Sequence, residues 1–283
     1  LGNGTFSDVA LEIAKKKKLA DILFVDEGAF KETYSAKNKS SVKVALKIMD
    51  PNKCDLCRTD REIDAMKRCN SSYIAKLLDY GQITFQGIDY LFIIEDFLDG
   101  GTLSDKFQSG FLSPSKIRDY GLQLSQGIGH LKELNLVHRD IKPDNIMFHR
   151  SSDVPLFVDF GLVRDLSKSS LTQSWNQLGP CTPFFAAPEQ LNNDKTLIGW
   201  RTDQFGLGLV LGYCLTRSHP YQAKNMTKDQ AIQAVANKQN CSDEFKALAK
   251  LANLECLLKM IEPWPVRRYS DPQYLLEGFR KRI

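Results

Sequence analysis

Between residues 20 and 100 the apolar residues fall in short runs divided by turn-forming residues: ADILFV (20–25), ETYSA (32–36), VKVALKIM (42–49) and YLFIIEDF (90–97). Their alternation and β-branched content predict an antiparallel sheet. One segment inside this stretch has another period. In TDREIDAMKRC (59–69), Ile63, Met66 and Cys69 recur at helical spacing, and Thr59 or Asp60 is placed to cap the helix. After Gly100 and Gly101 the period changes to that of helices. Ser113 and Pro114 form a cap and first-turn pair, and Ile117, Tyr120, Leu124, Ile128 and Leu131 follow at steps of three, four, four and three. Further helices are predicted over 203–216, 243–261 and 272–282. The pattern is that of an α+β protein, in which a small antiparallel sheet lobe with one helix precedes a larger, mainly α-helical lobe.

Composition narrows the function classes. The chain has 283 residues, 42% hydrophobic and 25% charged, as in ordinary globular proteins. Its 38 basic and 34 acidic residues leave +4, a bias too weak to point to nucleic acid. Lys15 to Lys18 form the densest charge run and read as a solvated helix face rather than a membrane or partner contact. No apolar run has the length of a membrane span, and the N-terminus lacks the order of a signal peptide. The seven cysteines are irregularly spaced and suit a reducing cytosol, so the expected location is cytoplasmic, or the cytosolic part of a larger protein, the chain beginning at Leu1. Cys54 and Cys57 lack the second pair or the histidines a zinc site needs, and read as surface or packing residues before a redox pair.

The chemistry is concentrated in LVHRDIKPDNIMF (136–148) and LFVDFG (156–161). Asp140, Lys142, Asn145 and Asp159 stand between apolar runs that read as buried strands, where a core does not want them. Polar groups crowded at strand ends line a cleft and serve a ligand. Phosphoryl transfer asks for this set: oxygen ligands for a hard cation (Asn145, Asp159), a cation on the transferred group (Lys142) and a carboxylate for the attacking hydroxyl (Asp140).

HRDIKPDN followed by DFG resembles the catalytic and metal-binding loops of the eukaryotic-type (Hanks-type) protein kinases, and the lysine after Asp140 resembles the serine/threonine branch. The resemblance runs from about residue 20 to the C-terminus. It implies a bilobal kinase fold, with residues 1–19 as an N-terminal extension, 20–98 as the small lobe and 99–283 as the large lobe. It implies ATP and Mg²⁺, with Mn²⁺ as an alternative ion, and a protein substrate that includes the chain itself by autophosphorylation. No nucleic acid is expected, and the oligomeric state is open. VALK (44–47) is similar to the strand motif whose lysine, here Lys47, holds the α- and β-phosphates. The resemblance makes Glu62, fifteen residues further on, the partner of Lys47, ahead of Asp60 and Asp64. By the same resemblance Val25, Gly28, Thr33, Ala45, Asp96, Leu98 and Met147 contact the nucleotide, and Asn145 and Asp159 hold the metal. CTPFFAAPE (181–189) is similar to the end of the activation segment, with Thr182 in the substrate loop. The resemblance further implies that Asp203 anchors the catalytic loop, that Arg268 pairs with Glu189, and that His138 and Phe160 are packing residues. By the same resemblance Arg139 is expected to grip a phosphate on the activation segment. Autophosphorylation is expected among Ser169 to Ser174, and Cys181 is placed to make activity redox-sensitive.

Two stretches compete for the phosphate loop. LGNGTFSDVA (1–10) has the better glycine spacing, but Gly4 lies forty-three residues before Lys47. Gly28 of VDEGAFKET (25–33) lies nineteen residues before it, room for the two strands and turn the family requires. Residues 1–18 then read as a helix on the small lobe. Asp26 and Lys31 stand where the family favours glycine; Asp26 opposes phosphate binding and Lys31 partly offsets it. Counting back from Gly100 puts Glu95 at the back of the adenine pocket, where the family has an apolar or small residue. Either Glu95 finds an unusual partner or the register shifts by one. Competing functions are a scaffold pseudokinase with weak nucleotide binding and a small-molecule kinase of related fold; the peptide-shaping segment 181–189 opposes the latter.

Overall fold

The computed structural model describes residues 4–28, 30–53, 56–108, 110–167 and 182–280. They form two compact units: one from residues 1–70 and 75–99, the other from 71–74 and 100–283. Among the described residues no helix is long and apolar enough to cross a membrane.

The first unit holds helix α1 (Ser7–Lys17), strands β1 (Ala20–Glu27), β2 (Lys31–Lys37) and β3 (Lys43–Met49), helix α2 (Leu56–Arg68), and strands β4 (Leu77–Phe85) and β5 (Ile88–Asp96). The strands make an antiparallel sheet in the order β1-β2-β3-β5-β4. Strand alternation divides its side chains between two faces. Tyr34, Ala36, Val44, Leu46, Ile48, Phe92 and Ile94 lie on one, in a core completed by Val9, Ala10, Ile13 and Ala14 of α1. Lys31, Thr33, Ala45, Lys47 and Glu95 lie on the other, because Thr33 is paired with Lys47 and Ala45 with Glu95.

α1 has no side-chain cap of its own. Its entry is held instead by Glu32, which is 1% exposed on the core face of β2. Glu32 Oε1 accepts from the N–H of Thr5 (2.8 Å), and Oε2 accepts from the N–H of Phe6 (3.0 Å) and from Tyr34 Oη (2.5 Å). A carboxylate at a helix N-terminus satisfies orphan amides and complements the helix dipole. Gly4 is needed for close approach: a Cβ there would collide with Tyr34, Phe24 and Glu32. Gly4 is thus explained by packing, whereas Gly2 lies outside the described residues.

The second unit contains α3 (Leu103–Gln108), α4 (Pro114–Glu133), β6 (Leu136–Val137), β7 (Ile146–Phe148), β8 (Pro155–Phe157), β9 (Arg164–Asp165), α5 (Pro188–Leu191), α6 (Trp200–Thr216), α7 (Lys228–Ala236), α8 (Asp243–Leu251), α9 (Cys256–Met260) and α10 (Pro272–Arg280). Ser113 caps α4 by accepting from the Lys116 N–H, and Ile117, Tyr120, Leu124, Ile128 and Leu131 are all buried. α6 is buried almost all round. Gly208 lets α6 approach Ile261 and Met260 with no side chain between. Two short ladders, β6 with β9 and β7 with β8, bracket the polar loop between residues 138 and 145.

Two local expectations are corrected, and β4 and three short helices are elements the apolar pattern does not mark. α2 begins at Leu56, so neither Thr59 nor Asp60 caps it; Thr59 is buried within the helix. The helix expected over 243–261 is two, α8 and α9, divided where Asn253 takes a left-handed φ of 54°. β4 was not foreseen because it is largely solvent-facing and carries Asp79, Gly81 and Gln82; its ladder with β5 holds it as a strand. α3, α5 and α7 are too short for a periodicity to mark them, although Thr227 and Gln230 form a reciprocal capping pair at α7.

Replacing Glu32 by alanine removes the acceptor of the Thr5 and Phe6 amides and of the Tyr34 hydroxyl, so Glu32→Ala is expected to lower stability by about 2–4 kcal/mol. Glu27→Ala, at an exposed position of β1, is expected to change it by less than about 0.5 kcal/mol. Urea unfolding followed by circular dichroism measures both, and hydrogen exchange at residues 9–17 should accelerate only in Glu32→Ala.

Candidate active site

The loop from His138 to Asn145 is fixed from below by Asp203, a buried residue of α6. Its Oδ2 accepts from the N–H of His138 (2.8 Å) and its Oδ1 from the N–H of Arg139 (2.9 Å). Burial pushes the Asp203 carboxyl above its ordinary range, while His138, Arg139 and those two N–H groups draw it back. The grip holds Arg139 at a left-handed φ of 71°, a strain of about 1–3 kcal/mol that surrounding structure must hold in place. Gln190 adds a second hold, donating from Nε2 to the Arg139 carbonyl (2.7 Å).

His138 is fully buried. Its Nδ1 accepts from the Asp140 N–H (3.4 Å), so the proton sits on Nε2 and is donated to the Val158 carbonyl (3.1 Å). The ring packs on Phe160 at a centroid separation of 4.9 Å. His138 therefore spans from the 138–145 loop to the strand leading into Asp159.

Above this base the functional side chains converge. Asp140 Oδ1 accepts from the Thr182 hydroxyl at 2.6 Å. Asp140 Oδ2 receives Asn145 Nδ2 (3.0 Å) and Lys142 Nζ (3.0 Å), and Lys142 Nζ also reaches Thr182 Oγ1 (3.3 Å). Asn145 Nδ2 donates as well to the Asp140 carbonyl (2.9 Å). With its amide nitrogen so committed, Asn145 has its amide oxygen as the remaining acceptor. The Val158 N–H donates to the Asn145 carbonyl (3.0 Å), which sets Asp159 beside Asn145. Asp159 has a φ of 63° and accepts from the Gly161 N–H at 3.1 Å. One amide oxygen and one carboxylate are oxygen donors of the kind Mg²⁺ takes when substrate phosphates and water complete its shell. Met147 lies in β7, opposite Leu156.

Glu189 and Arg268 close the segment after Thr182. Arg268 Nη1 and Nη2 donate to Glu189 Oε1 and Oε2 at 2.7 and 3.0 Å, both side chains wholly buried. A bidentate guanidinium–carboxylate pair fixes geometry in two directions. His219, which no sequence signal marked, holds the same segment. Its Nδ1 accepts from the Tyr221 N–H (3.1 Å) and its Nε2 donates to the Phe184 carbonyl (3.0 Å).

In the first unit the hairpin between β1 and β2 is closed by the Gly28 N–H donating to the Lys31 carbonyl (2.8 Å). Val25 and Asp26 are exposed on β1, and Ala45 and Leu98 are buried. Asp96 accepts the Lys76 N–H on Oδ2 (3.0 Å), while its own N–H donates to the Lys76 carbonyl. The ion pair expected between Lys47 and Glu62 is replaced by two others. Lys47 Nζ pairs with Glu95 Oε1, and Glu62 Oε1 is met by Lys31 Nζ at 3.2 Å. The register explains this: Lys47 lies two residues from Ala45, the residue opposite Glu95, so both reach out from one face. Ser169 to Ser174 and Cys181 lie outside the described residues.

A model of the protein kinase domain family matches residues 22–277. The chain is 32% identical over 207 residues to the serine/threonine-protein kinase PknD of Mycobacterium tuberculosis, covering 71% of this chain and 30% of that protein. It is 26% identical over 260 residues to a probable myosin light chain kinase of Dictyostelium discoideum, covering 89% and 79%. With the serine/threonine-protein kinase Nek5 of Homo sapiens it shares 29% over 209 residues, covering 71% and 28%. The chain belongs to the protein kinase family. It spans under a third of the length of PknD and of Nek5.

Burial depresses the His219 pKa to about 4, against a smaller upward pull from the Phe184 carbonyl. The unfolded chain, with an ordinary histidine near 6.5, takes up a proton first as pH falls. This contribution is therefore complete above about pH 6.5 and is lost towards pH 4, by up to about 3 kcal/mol. Melting temperatures of wild type and His219→Gln between pH 7.5 and 4.5 should show the steeper decline in wild type.

Proposed function

We propose that this domain transfers the γ-phosphoryl group of ATP to serine or threonine hydroxyls of proteins. The observation that carries the reading is the Thr182 hydroxyl donating to Asp140 Oδ1 at 2.6 Å, with Lys142 beside both. An alcohol side chain already occupies the geometry a substrate hydroxyl needs against this carboxylate. Asp140 accepts the hydrogen bond of the substrate hydroxyl and takes its proton as the oxygen attacks the γ-phosphorus. The new O–P bond forms as the bond to the bridging oxygen breaks, and its electron pair leaves with ADP. Lys142 sets positive charge beside the attacking oxygen, and Lys47 binds the donor phosphates. Mg²⁺, or Mn²⁺ in its place, supplies charge neutralisation to the phosphates when held by Asn145 and Asp159.

The nucleotide contacts proposed are Val25, Gly28, Thr33, Ala45, Asp96, Leu98 and Met147. Protein substrates, including the chain itself, and a cytoplasmic location belong to the same reading. A scaffold without transfer is disfavoured by the complete set of Asp140, Lys142, Asn145 and Asp159, and by relatives that are themselves serine/threonine kinases.

Asp140→Asn keeps the shape and removes the proton acceptor, so transfer of labelled phosphate to a generic basic protein is expected to fall by about 10²–10⁴-fold with unchanged melting temperature. Unchanged transfer in Asp140→Asn would reject the assignment. Thr182→Val is expected to fall by at least about tenfold and Thr182→Ser to stay near wild type, since only the hydroxyl hydrogen-bonds Asp140.

A further inference from the structure

We infer that Glu95 of β5, rather than Glu62 of α2, is the carboxylate that positions Lys47. The inference rests on the reading of Lys47 as the ligand of the donor phosphates, and it assigns Glu95 the role of a positioning residue.

Three observations carry it. The first is the pairing itself: Lys47 Nζ meets Glu95 Oε1, and the two side chains are 12% and 5% exposed. A buried carboxylate that loses its cation is left with an uncompensated charge, so the pair does not separate freely. The second is the frame that holds Glu95. β5 lies between β3 and β4, so the Glu95 backbone is paired with Ala45 on one side and Leu77 on the other. Ala45, directly opposite, leaves room for the Glu95 side chain to run along the sheet to Lys47, two residues on. The third is the engagement of Glu62. Lys31, at a position where the family favours glycine, projects from the same sheet face and holds Glu62 at 3.2 Å, the pair being 18% and 7% exposed.

An ammonium has three donors. With one on Glu95, Lys47 keeps two for phosphate oxygens, and its direction is set by the sheet. The orientation of Lys47 then does not depend on where α2 stands. Lys31 plays the matching part on the other carboxylate, since it neutralises Glu62 and ties the start of β2 to α2.

The test uses the whole chain and reads kcat, the KM for ATP, and the affinity for a fluorescent ATP analogue. Glu95→Gln is nearly isosteric; it is expected to raise the KM for ATP and the analogue Kd by at least about tenfold while circular dichroism shows a folded protein. Glu62→Gln is expected to shift both by under about threefold. Glu95→Asp, which keeps the charge on a shorter arm, should recover part of the loss, which a merely space-filling role would not produce. The inference is overturned if Glu62→Gln is the more damaging, or if Glu95→Gln binds and turns over ATP like wild type. Asp140→Asn run alongside separates the two readings. Loss of transfer in Asp140→Asn with a silent Glu95→Gln removes this inference and leaves the kinase assignment standing. Absence of transfer from wild type removes the kinase assignment, while analogue binding still ranks Glu95 against Glu62.

Discussion

A carboxylate taken out of water must be met by donors that cannot leave, and five are buried among the described residues: Glu32, Glu62, Glu95, Glu189 and Asp203. Each is answered from a distant point of the chain. Glu32 receives the amides at the entry of α1, Glu62 receives Lys31, Glu95 receives Lys47, Glu189 receives Arg268, and Asp203 receives the backbone of His138 and Arg139. These contacts are stakes rather than gains. A buried pair is often no better than a well-packed apolar one, but breaking one side costs about 3–5 kcal/mol. The placement of Lys47 and Asp140 is enforced in this way.

The two faces of the sheet show what that constraint does. On one, Glu32 and Tyr34 draw α1 onto Leu46, Ile48 and Phe92, so the segment before the first strand is part of the core. On the other, Lys31, Lys47 and Glu95 share a side because strand alternation leaves them no alternative. Two cations and two carboxylates meet on and over that face, Lys47 with Glu95 and Lys31 with Glu62. Lysine at position 31 and glutamate at position 95 are therefore one arrangement: with Glu95 present, Lys47 has a partner at hand, and with Lys31 present, so does Glu62.

Much of this was legible beforehand. The contact of Asp203 with the catalytic loop and the Arg268–Glu189 pair were implied by the resemblance to protein kinases, and α4 is marked by its cap and apolar stripe. Glu95 stood out as a carboxylate at a position where the family has an apolar or small residue, but its partner depended on cross-strand register, which a single strand does not encode. Gly4 and Glu32 could not be read, because Gly4 is required by a contact with residues some twenty to thirty positions away. His219 and Gln190 act through backbone carbonyls of remote loops, and no periodicity marks such contacts. The expectation that Lys31 serves phosphate binding came from its place in the loop; its bond to Glu62 depends on how α2 packs.

Where Lys47 points when nucleotide is bound decides most directly between the two carboxylates. A crystal structure of the chain with a non-hydrolysable ATP analogue and Mg²⁺ measures it. The predicted result is Lys47 Nζ within hydrogen-bonding distance of both Glu95 and a phosphate oxygen, with Lys31 still on Glu62. Lys47 paired with Glu62, and Glu95 turned to another partner, would contradict it.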